Sequence, residues 1–543
     1  MSAHSKRQFL DGAMALTLST VLVKIIGLVY KIPLMRILGA EGMGYFNSAY
    51  ELYTLFFVIS TAGIPVAISI MISENIAAGR LKNAEKIFER ALWLLLGIGF
   101  VGAVVMSFGA RALAELMENE KATLSLVFVS PTVFLISVSG AVRGYFQGCR
   151  NMRYTAVSQI IEALGKLALG LVFASVARKY GCSVEKVAAF AILGLSVGTA
   201  VSTLYLCVEK RRSRLTLESV FTVISCDKTG ETLSQLLKLA LPVTLSSVLV
   251  SLTRIIDMYA LLDRLPEEAD RVSLYGAYST MALPIYNLPS SLVAGISLAL
   301  VPSISAAIEL GQIEREKQLV ASGVKLCSLV ALPVAFGIGV YSKQILDLLF
   351  AGQNEAIEIS APLLSALGAS VFASCIAQVT NSVLQANGKT LYPIFSMLCG
   401  LLVKGVAAYF LIGNPKIGAM GAPVSTLLCN TVAVTLNLWL LGKCMSHRIE
   451  LSGLLKKPTA CALLSVLASL AAFLAATRIF DSEKVAFLVA VSVCIVAYLA
   501  CAVFCGLLDA EELEMLHLNK KIGKNKKEDV FYEQRRKNKR AFE

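Results

Sequence analysis

Eight ionisable side chains lie within long apolar stretches of this 543-residue chain, where a charge is costly and usually has a function. Five of them are cations and three are carboxylates, so these stretches carry a surplus of positive charge. Lys and Arg both bind phosphate, Lys as a point charge and Arg as a planar fork. The set therefore favours non-covalent capture of an anionic group. Its members are Lys24, Lys31, Glu51, Glu162, Lys166, Arg254, Asp257 and Lys404.

Spacing predicts partners within one helix for four of these residues. Glu162 and Lys166 are four positions apart, and Arg254 and Asp257 are three apart. Side chains at these separations share a helix face, so each pair can neutralise itself. Such a pair either only holds helices together or faces a polar cavity, and both interpretations stay open.

Three lysines have no nearby partner in the sequence. Lys24 and Lys31 are seven positions apart and so lie on one helix face, whereas Lys404 stands alone. We expect all three to line a polar cavity; the alternative is pairing with Glu51 or with helix ends. Arg143 lies near the end of its apolar stretch, where it is expected to reach the lipid head groups.

Two roles are predicted for the eight residues. The predicted substrate-binding residues are Lys24, Lys31, Arg254 and Lys404. The predicted coupling or cavity residues are Glu51, Glu162, Lys166 and Asp257.

The elements that position these residues are membrane-spanning helices. The chain is 56% hydrophobic and 16% charged, which is too apolar for a soluble protein of this length. A span needs about 20 apolar residues, and helices satisfy their own backbone groups in lipid. Fourteen spans are predicted, near 11–33, 45–70, 91–110, 122–142, 156–177, 187–207, 237–258, 277–301, 319–340, 360–383, 391–412, 419–441, 459–477 and 485–507.

The distribution of positive charge predicts the orientation. The formal net charge is +13, and ten Lys or Arg residues fall within the last 24 positions. Most others lie in loops that alternate with the spans, the pattern of cytoplasmic loops facing anionic lipid and not of a nucleic-acid surface. We expect a multi-pass protein of the plasma membrane with both termini in the cytoplasm.

An internal repeat gives the domain organisation. TLSTVLV at 17–23 returns as TLSSVLV at 244–250, Ala-Gly-Ile at 62–64 returns at 294–296, and four spaced residues from Gln147 return from Gln385. Six spans separate the copies, so they share one orientation, as in transporters built from parallel halves. The predicted divisions are a six-helix lobe (1–208), a cytoplasmic linker (209–235), a second six-helix lobe (236–443), an extra helix pair (444–507) and a basic cytoplasmic tail (508–543).

Motifs for catalysis or cofactors are absent or out of context. Residues 97–102 match G-x-G-x-x-G, but they lie inside an apolar helix, where glycines serve close packing. The 13 Cys and three His show no metal-ligand spacing. We therefore predict a transporter without a bound cofactor and not an enzyme; its cycle would be driven by a coupling cation such as Na⁺ or H⁺, or by the membrane potential.

The stretch 23–46, VKIIGLVYKIPLMRILGAEGMGYF, resembles the polysaccharide-transport branch of the multidrug/oligosaccharidyl-lipid/polysaccharide flippase superfamily. STAGIPVAIS at 60–69 and GYFQG at 144–148 extend the likeness, which is greatest to the sporulation and lipid II flippase-like members. The resemblance implies 14 helices, alternating access and a polyprenyl-pyrophosphate-linked saccharide as substrate. It also implies cations on the first helix, where Lys24 and Lys31 stand. Glu51 departs from the family pattern, because the similar proteins often have an Arg near this position on the second helix.

The preferred function is thus a flippase for lipid II or a related peptidoglycan or spore-cortex precursor. Its partners would be the lipid-linked anionic saccharide, membrane lipids and cell-wall synthesis proteins, with no nucleic acid. A cation-coupled multidrug antiporter of the same fold is the alternative. A membrane glycosyltransferase and a structural scaffold are weaker alternatives, since the loops lack a plausible catalytic pair and a scaffold gains nothing from buried charge.

Overall fold

The described parts of the chain consist of helices joined by short turns and contain no strand. A computed structural model describes residues 3–217, 229–266, 270–445 and 451–507. The α-helices are α1 (Ala3–Thr61), α2 (Gly63–Ala77), α3 (Leu81–Phe108), α4 (Ala110–Leu116), α5 (Thr123–Gly148), α6 (Met152–Lys179), α7 (Val184–Leu217), α8 (Thr229–Asp263), α9 (Arg271–Ala277), α10 (Leu283–Glu309), α11 (Ile313–Leu349), α12 (Asn354–Ala386), α13 (Leu391–Ile412), α14 (Gly421–Cys444), α15 (Leu451–Ile479) and α16 (Glu483–Phe504).

The first helical run crosses the membrane twice. At 1.5 Å per residue, the 59 residues of α1 would extend roughly 90 Å, about three times the hydrocarbon thickness. Gly39 interrupts the run with φ 69° and ψ −177°, a conformation that residues with a Cβ rarely adopt. Thirteen helical runs in the described ranges are long and apolar enough to span a bilayer, and the break at Gly39 makes 14 crossings, as predicted.

Two predicted spans and the linker have different bounds from those expected. The span predicted at 45–70 is broken at Ala62, between α1 and α2. The span predicted at 277–301 belongs to a longer helical run, Arg271–Glu309. The run begins at Arg271, where Asp270 caps the first turn by accepting a hydrogen bond from the Ser273 amide at 3.0 Å. Helices α7 and α8 also extend into the predicted linker, whereas the basic tail lies outside the described residues.

The helices pack in two groups whose order follows the repeat. The first group consists of α1, α2, α3, α5, α6 and α7, and the second consists of α8 to α14. The groups meet where α1 contacts α8 and α9 and where α2 contacts α8. Helices α15 and α16 pack on each other and on α11. The exact domain bounds stay a prediction.

A crossing of equivalent glycines shows the two-fold relation between the groups. Gly44 and Gly276 are 232 positions apart, the offset of the Ala-Gly-Ile match. A Cβ on Gly44 would lie 2.5 Å from the Val272 carbonyl oxygen, and a Cβ on Gly276 would overlap the Ala40 carbonyl oxygen. Val272 and Ala40 are themselves 232 apart, so the contact is reciprocal. Only residues without a side chain allow backbones this close.

Candidate functional site

The lysine face of α1 contacts the second group of helices. Lys24 is exposed, and its Nζ donates a hydrogen bond to Ser291 Oγ on α10 at 2.5 Å. Lys31 is half-buried, and its Nζ donates to the carbonyl oxygen of Ser279 at 2.8 Å. Both acceptors belong to the run Arg271–Glu309, so two cations seven positions apart line one seam between the groups.

An ion pair crosses the same seam. Arg254 Nε on α8 lies 3.4 Å from Glu51 Oε2 on α1, and the Arg254 side chain stays 31% exposed. Neither of these two atoms makes a hydrogen bond of good geometry, so the pair is loose. Lys31 interacts electrostatically with both of these residues and with Lys166. Arg254 is therefore held near the lysines, with about a third of its side chain exposed.

Lys166 is held near this cluster by aromatic rings. Its Nζ lies 4.1 Å from the ring centroid of Tyr50 and 5.3 Å from that of Tyr30. A ring face attracts a cation without cancelling its charge. Lys24, Lys31, Lys166 and Arg254 with Glu51 form what we call the seam cluster, which has a formal surplus of three positive charges.

Lys404 lies apart from the seam cluster in a closed ion pair. Its Nζ donates to Asp257 Oδ2 at 2.8 Å and to Thr426 Oγ1 at 2.8 Å. The two charged side chains are 2% and 3% exposed, so the pair is buried between α8, α13 and α14. The predicted pairing of Asp257 with Arg254 is therefore wrong. Arg254 reaches across the seam instead, because the two side chains leave α8 toward different neighbours.

Glu162 also pairs between helices and not within its own. Its Oε2 accepts a hydrogen bond from Arg143 Nη2 at 2.8 Å, and Arg143 Nε donates to Ser158 Oγ at 3.0 Å. Arg143 is 6% exposed. The predicted Glu162 and Lys166 pair is wrong, as is the expected position of Arg143 among head groups. This cluster neutralises itself inside the first group of helices, and Lys166 is left to the seam cluster.

Three seam contacts have no counterpart in the sequence-based prediction. Asn47 Nδ2 donates to Ser279 Oγ at 2.9 Å and to Thr280 Oγ1 at 2.7 Å. The third contact is the hydrogen bond that Ser291 Oγ accepts from Lys24 Nζ. These side chains are polar but uncharged, so a search restricted to ionisable residues could not find them. The repeat could have, since Asn47 and Ser279 are 232 positions apart.

The arrangement suits binding and not bond chemistry. The seam cluster offers ammonium and guanidinium donors to an anion, and its one carboxylate is already opposite an arginine. Within the described residues, no group of three or more His, Cys, Asp or Glu is placed to hold a metal ion. The three carboxylates among the predicted coupling or cavity residues, Glu51, Glu162 and Asp257, each have a cationic partner from the chain itself.

Comparison with known families agrees with this architecture. Residues 9–308 match the family described as "Polysaccharide biosynthesis protein", which is more than half of the chain. The chain belongs to this family. Residues 242–410 also match the MatE family, so both halves point to the multidrug/oligosaccharidyl-lipid/polysaccharide flippase superfamily. This member of the family is accordingly a multi-pass membrane transporter and not an enzyme, as the sequence predicted.

Among the proteins similar to this chain are a sporulation protein and two named lipid II flippases. Stage V sporulation protein B of Bacillus subtilis (strain 168) is 28% identical over 448 residues, 80% of this chain and 83% of that protein. Lipid II flippase MurJ of the same organism is 25% identical over 73% of this chain and 76% of its own length. A solved structure of MurJ in an inward closed conformation aligns with a TM-score of 0.71, at 16% identity, over 90% of this chain and 98% of its own.

Proposed function

We propose that this transporter moves a polyprenyl-pyrophosphate-linked saccharide, such as lipid II or a related cell-wall or spore-cortex precursor, from the cytoplasmic to the outer leaflet. The observation that carries the proposal is the seam cluster, a surplus of three positive charges between the two groups of helices. Isolated charges are costly in a membrane interior, so such a surplus needs an anionic ligand to offset it.

The pyrophosphate would bind at the seam cluster, with Lys24 and Lys31 as donors along α1 and Arg254 as a donor on the opposite side. The saccharide would share the polar seam, while the lipid tail stays in the bilayer. Substrate and protein would then reorient by alternating access, with the two helix groups rocking about their interface. The similarity to MurJ and to stage V sporulation protein B supports this substrate class.

Genetic complementation tests the proposal. A bacterium depleted of its own lipid II flippase would express wild type, Lys24→Ala or Lys31→Ala at matched membrane levels. A hydrogen bond between charged groups contributes about 1.5–3 kcal/mol, so each alanine should weaken pyrophosphate binding roughly ten- to hundredfold and abolish or strongly impair rescue. Lys389→Ala, which removes an exposed lysine from a loop outside the seam cluster, is the matched control and should rescue fully.

The outcomes separate the function from the site. Rescue by wild type and failure of both variants is the expected result. Rescue by all four proteins would keep the function and refute the seam cluster as its site. Absence of rescue by wild type, with the protein present in the membrane, would refute lipid II as the substrate.

A multidrug antiporter is the second candidate, because the MatE match and a multidrug MATE transporter structure with a TM-score of 0.61 share this fold. An antiporter for organic cations needs accessible carboxylates, whereas Glu51 and Asp257 are both paired here. Reduced ethidium accumulation in a drug-hypersensitive host expressing the chain would favour this candidate.

A further inference from the structure

The contact between Lys31 and Ser279 lies at the one π-helical segment in the described parts of the chain. Tyr278–Ala282 is π-helical, between α9 and α10. A π-helical turn interrupts the regular hydrogen-bond ladder of an α-helix and makes carbonyl oxygens available to outside donors. Lys31 Nζ donates to such a carbonyl, that of Ser279, at 2.8 Å. A binding-site cation thus also holds the backbone of the opposite helix group.

The same segment is the place where the two groups close on each other. Asn47 binds the hydroxyls of Ser279 and Thr280, and it is 2% exposed. One turn away lies the reciprocal crossing of Gly44 and Gly276. All of these contacts lie toward the ends of the helices near Gly39, which is the outer side in the predicted orientation. We call this set the Gly39-end closure.

The acceptor on Ser279 is weaker than the ligand that Lys31 would meet in transport. A backbone carbonyl carries only a dipole, whereas a phosphate oxygen carries formal negative charge, so an ammonium is attracted more strongly to the phosphate. A pyrophosphate shared with Lys24 would lie further along the seam, toward Ser291, so the Lys31 ammonium moves away from the Ser279 carbonyl when it binds this ligand. Binding of the head group and loss of this closure contact are therefore linked.

We propose that Lys31 is a latch between substrate binding and opening of the Gly39-end closure. Without substrate its ammonium holds the π-helical segment of the opposite group. With substrate the ammonium binds the anionic head group, the Ser279 carbonyl loses its donor, and the closure opens. Lys24 differs, because its partner is the Ser291 hydroxyl on α10, outside the closure. The release step rests on the proposed function, whereas the holding step does not.

Hydrogen exchange of the intact protein in lipid nanodiscs tests both steps. The readout is the exchange rate of backbone amides in peptides covering 271–282, with peptides from α7 as a folding control. The variants are Lys31→Met, which keeps the length but removes the donor, Lys31→Arg, which keeps a donor, and Lys24→Met as the matched lysine change. The probe is undecaprenyl pyrophosphate, and undecaprenol is the uncharged control.

Without lipid, Lys31→Met should exchange about tenfold faster than wild type over 271–282, the effect of one lost charge-assisted hydrogen bond. Lys31→Arg and Lys24→Met should resemble wild type. Undecaprenyl pyrophosphate should raise the wild-type rate to the Lys31→Met level, leave Lys31→Met unchanged, and have no effect when replaced by undecaprenol.

Two results would overturn the latch. Equal exchange of wild type and Lys31→Met without lipid would refute the holding step. Tight binding of undecaprenyl pyrophosphate that leaves wild-type exchange unchanged would refute the release step. If the lipid does not bind wild type at all, the proposed function fails together with release, and the lipid-free comparison still decides the holding step.

Discussion

The buried pair of Lys404 and Asp257 gives a prediction that separates stability from substrate binding. Changing Lys404 to Met removes one partner of a pair whose side chains are 2% and 3% exposed and leaves the Asp257 carboxylate without its cation. Breaking a buried pair from one side costs about 3–5 kcal/mol, because an uncompensated charge stays in the interior. Replacing both partners with neutral groups of similar size is close to neutral.

We therefore expect Lys404→Met to be strongly destabilised and Lys404→Met/Asp257→Asn to recover most of the loss. For a unit of 150–250 residues, about the size of one helix group, 1 kcal/mol shifts Tm by roughly 2–4 °C, so the single variant should melt about 6 °C or more below wild type. The assay is thermal unfolding in detergent, followed by size-exclusion chromatography with fluorescence detection.

The double variant also tests the sequence-based role of Lys404 as a substrate-binding residue. If the residue only neutralises Asp257, a stable double variant should rescue the flippase-depleted strain. A double variant that is stable but fails to rescue would restore Lys404 to the binding site. A double variant as unstable as Lys404→Met would refute the electrostatic argument itself, since removing both charges would then give no relief.

Two further predictions use matched changes within the chain. Gly63 and Gly295 are equivalent in the repeat, but a Cβ on Gly63 would overlap the Ala240 carbonyl, whereas no atom lies within 4 Å of one on Gly295. Gly63→Ala should therefore lower the melting temperature. Gly295→Ala should leave it unchanged or raise it, because alanine stabilises a helix by about 0.5–1 kcal/mol relative to glycine. Equal effects of the two changes would contradict this packing. Glu162→Gln leaves Arg143 without its carboxylate and should destabilise the protein by about 3 kcal/mol, whereas Lys166→Met should have a smaller effect on melting. A larger effect from Lys166→Met would favour the pairing within α6.

Much of the fold follows from local properties of the sequence. Apolar length sets the number of crossings, and the loop charges predict their orientation, because each depends on a short segment and the bilayer. The two-fold relation was visible as three matches at offsets of 227, 232 and 238. The sequence predicted a break between spans ending near 33 and beginning near 45, but it did not predict that one residue, Gly39, makes the break within a helical run, since a glycine alone does not show which φ it adopts.

Charge pairing shows where local inference ends. Spacing along one helix predicted the pairs Glu162 with Lys166 and Arg254 with Asp257, and the structure has neither. Neighbours at three or four positions are only one choice for a long side chain, and a helix from elsewhere in the chain can offer a closer and better-oriented partner. In lipid that partner decides the energy, because water cannot solvate a charge left unpaired.

The sequence alone determined that this protein is a helical membrane transporter with surplus cations in its interior. Only the tertiary structure decided which cations stay available: Lys404 is neutralised by Asp257 and Arg143 by Glu162, whereas Lys24, Lys31, Lys166 and Arg254 share one carboxylate at the seam. The physical reason is that residue type fixes the charge, but the relative placement of helices fixes its neighbours. Positively charged side chains form a binding site for an anion only where the packing of helices leaves them without enough carboxylate partners.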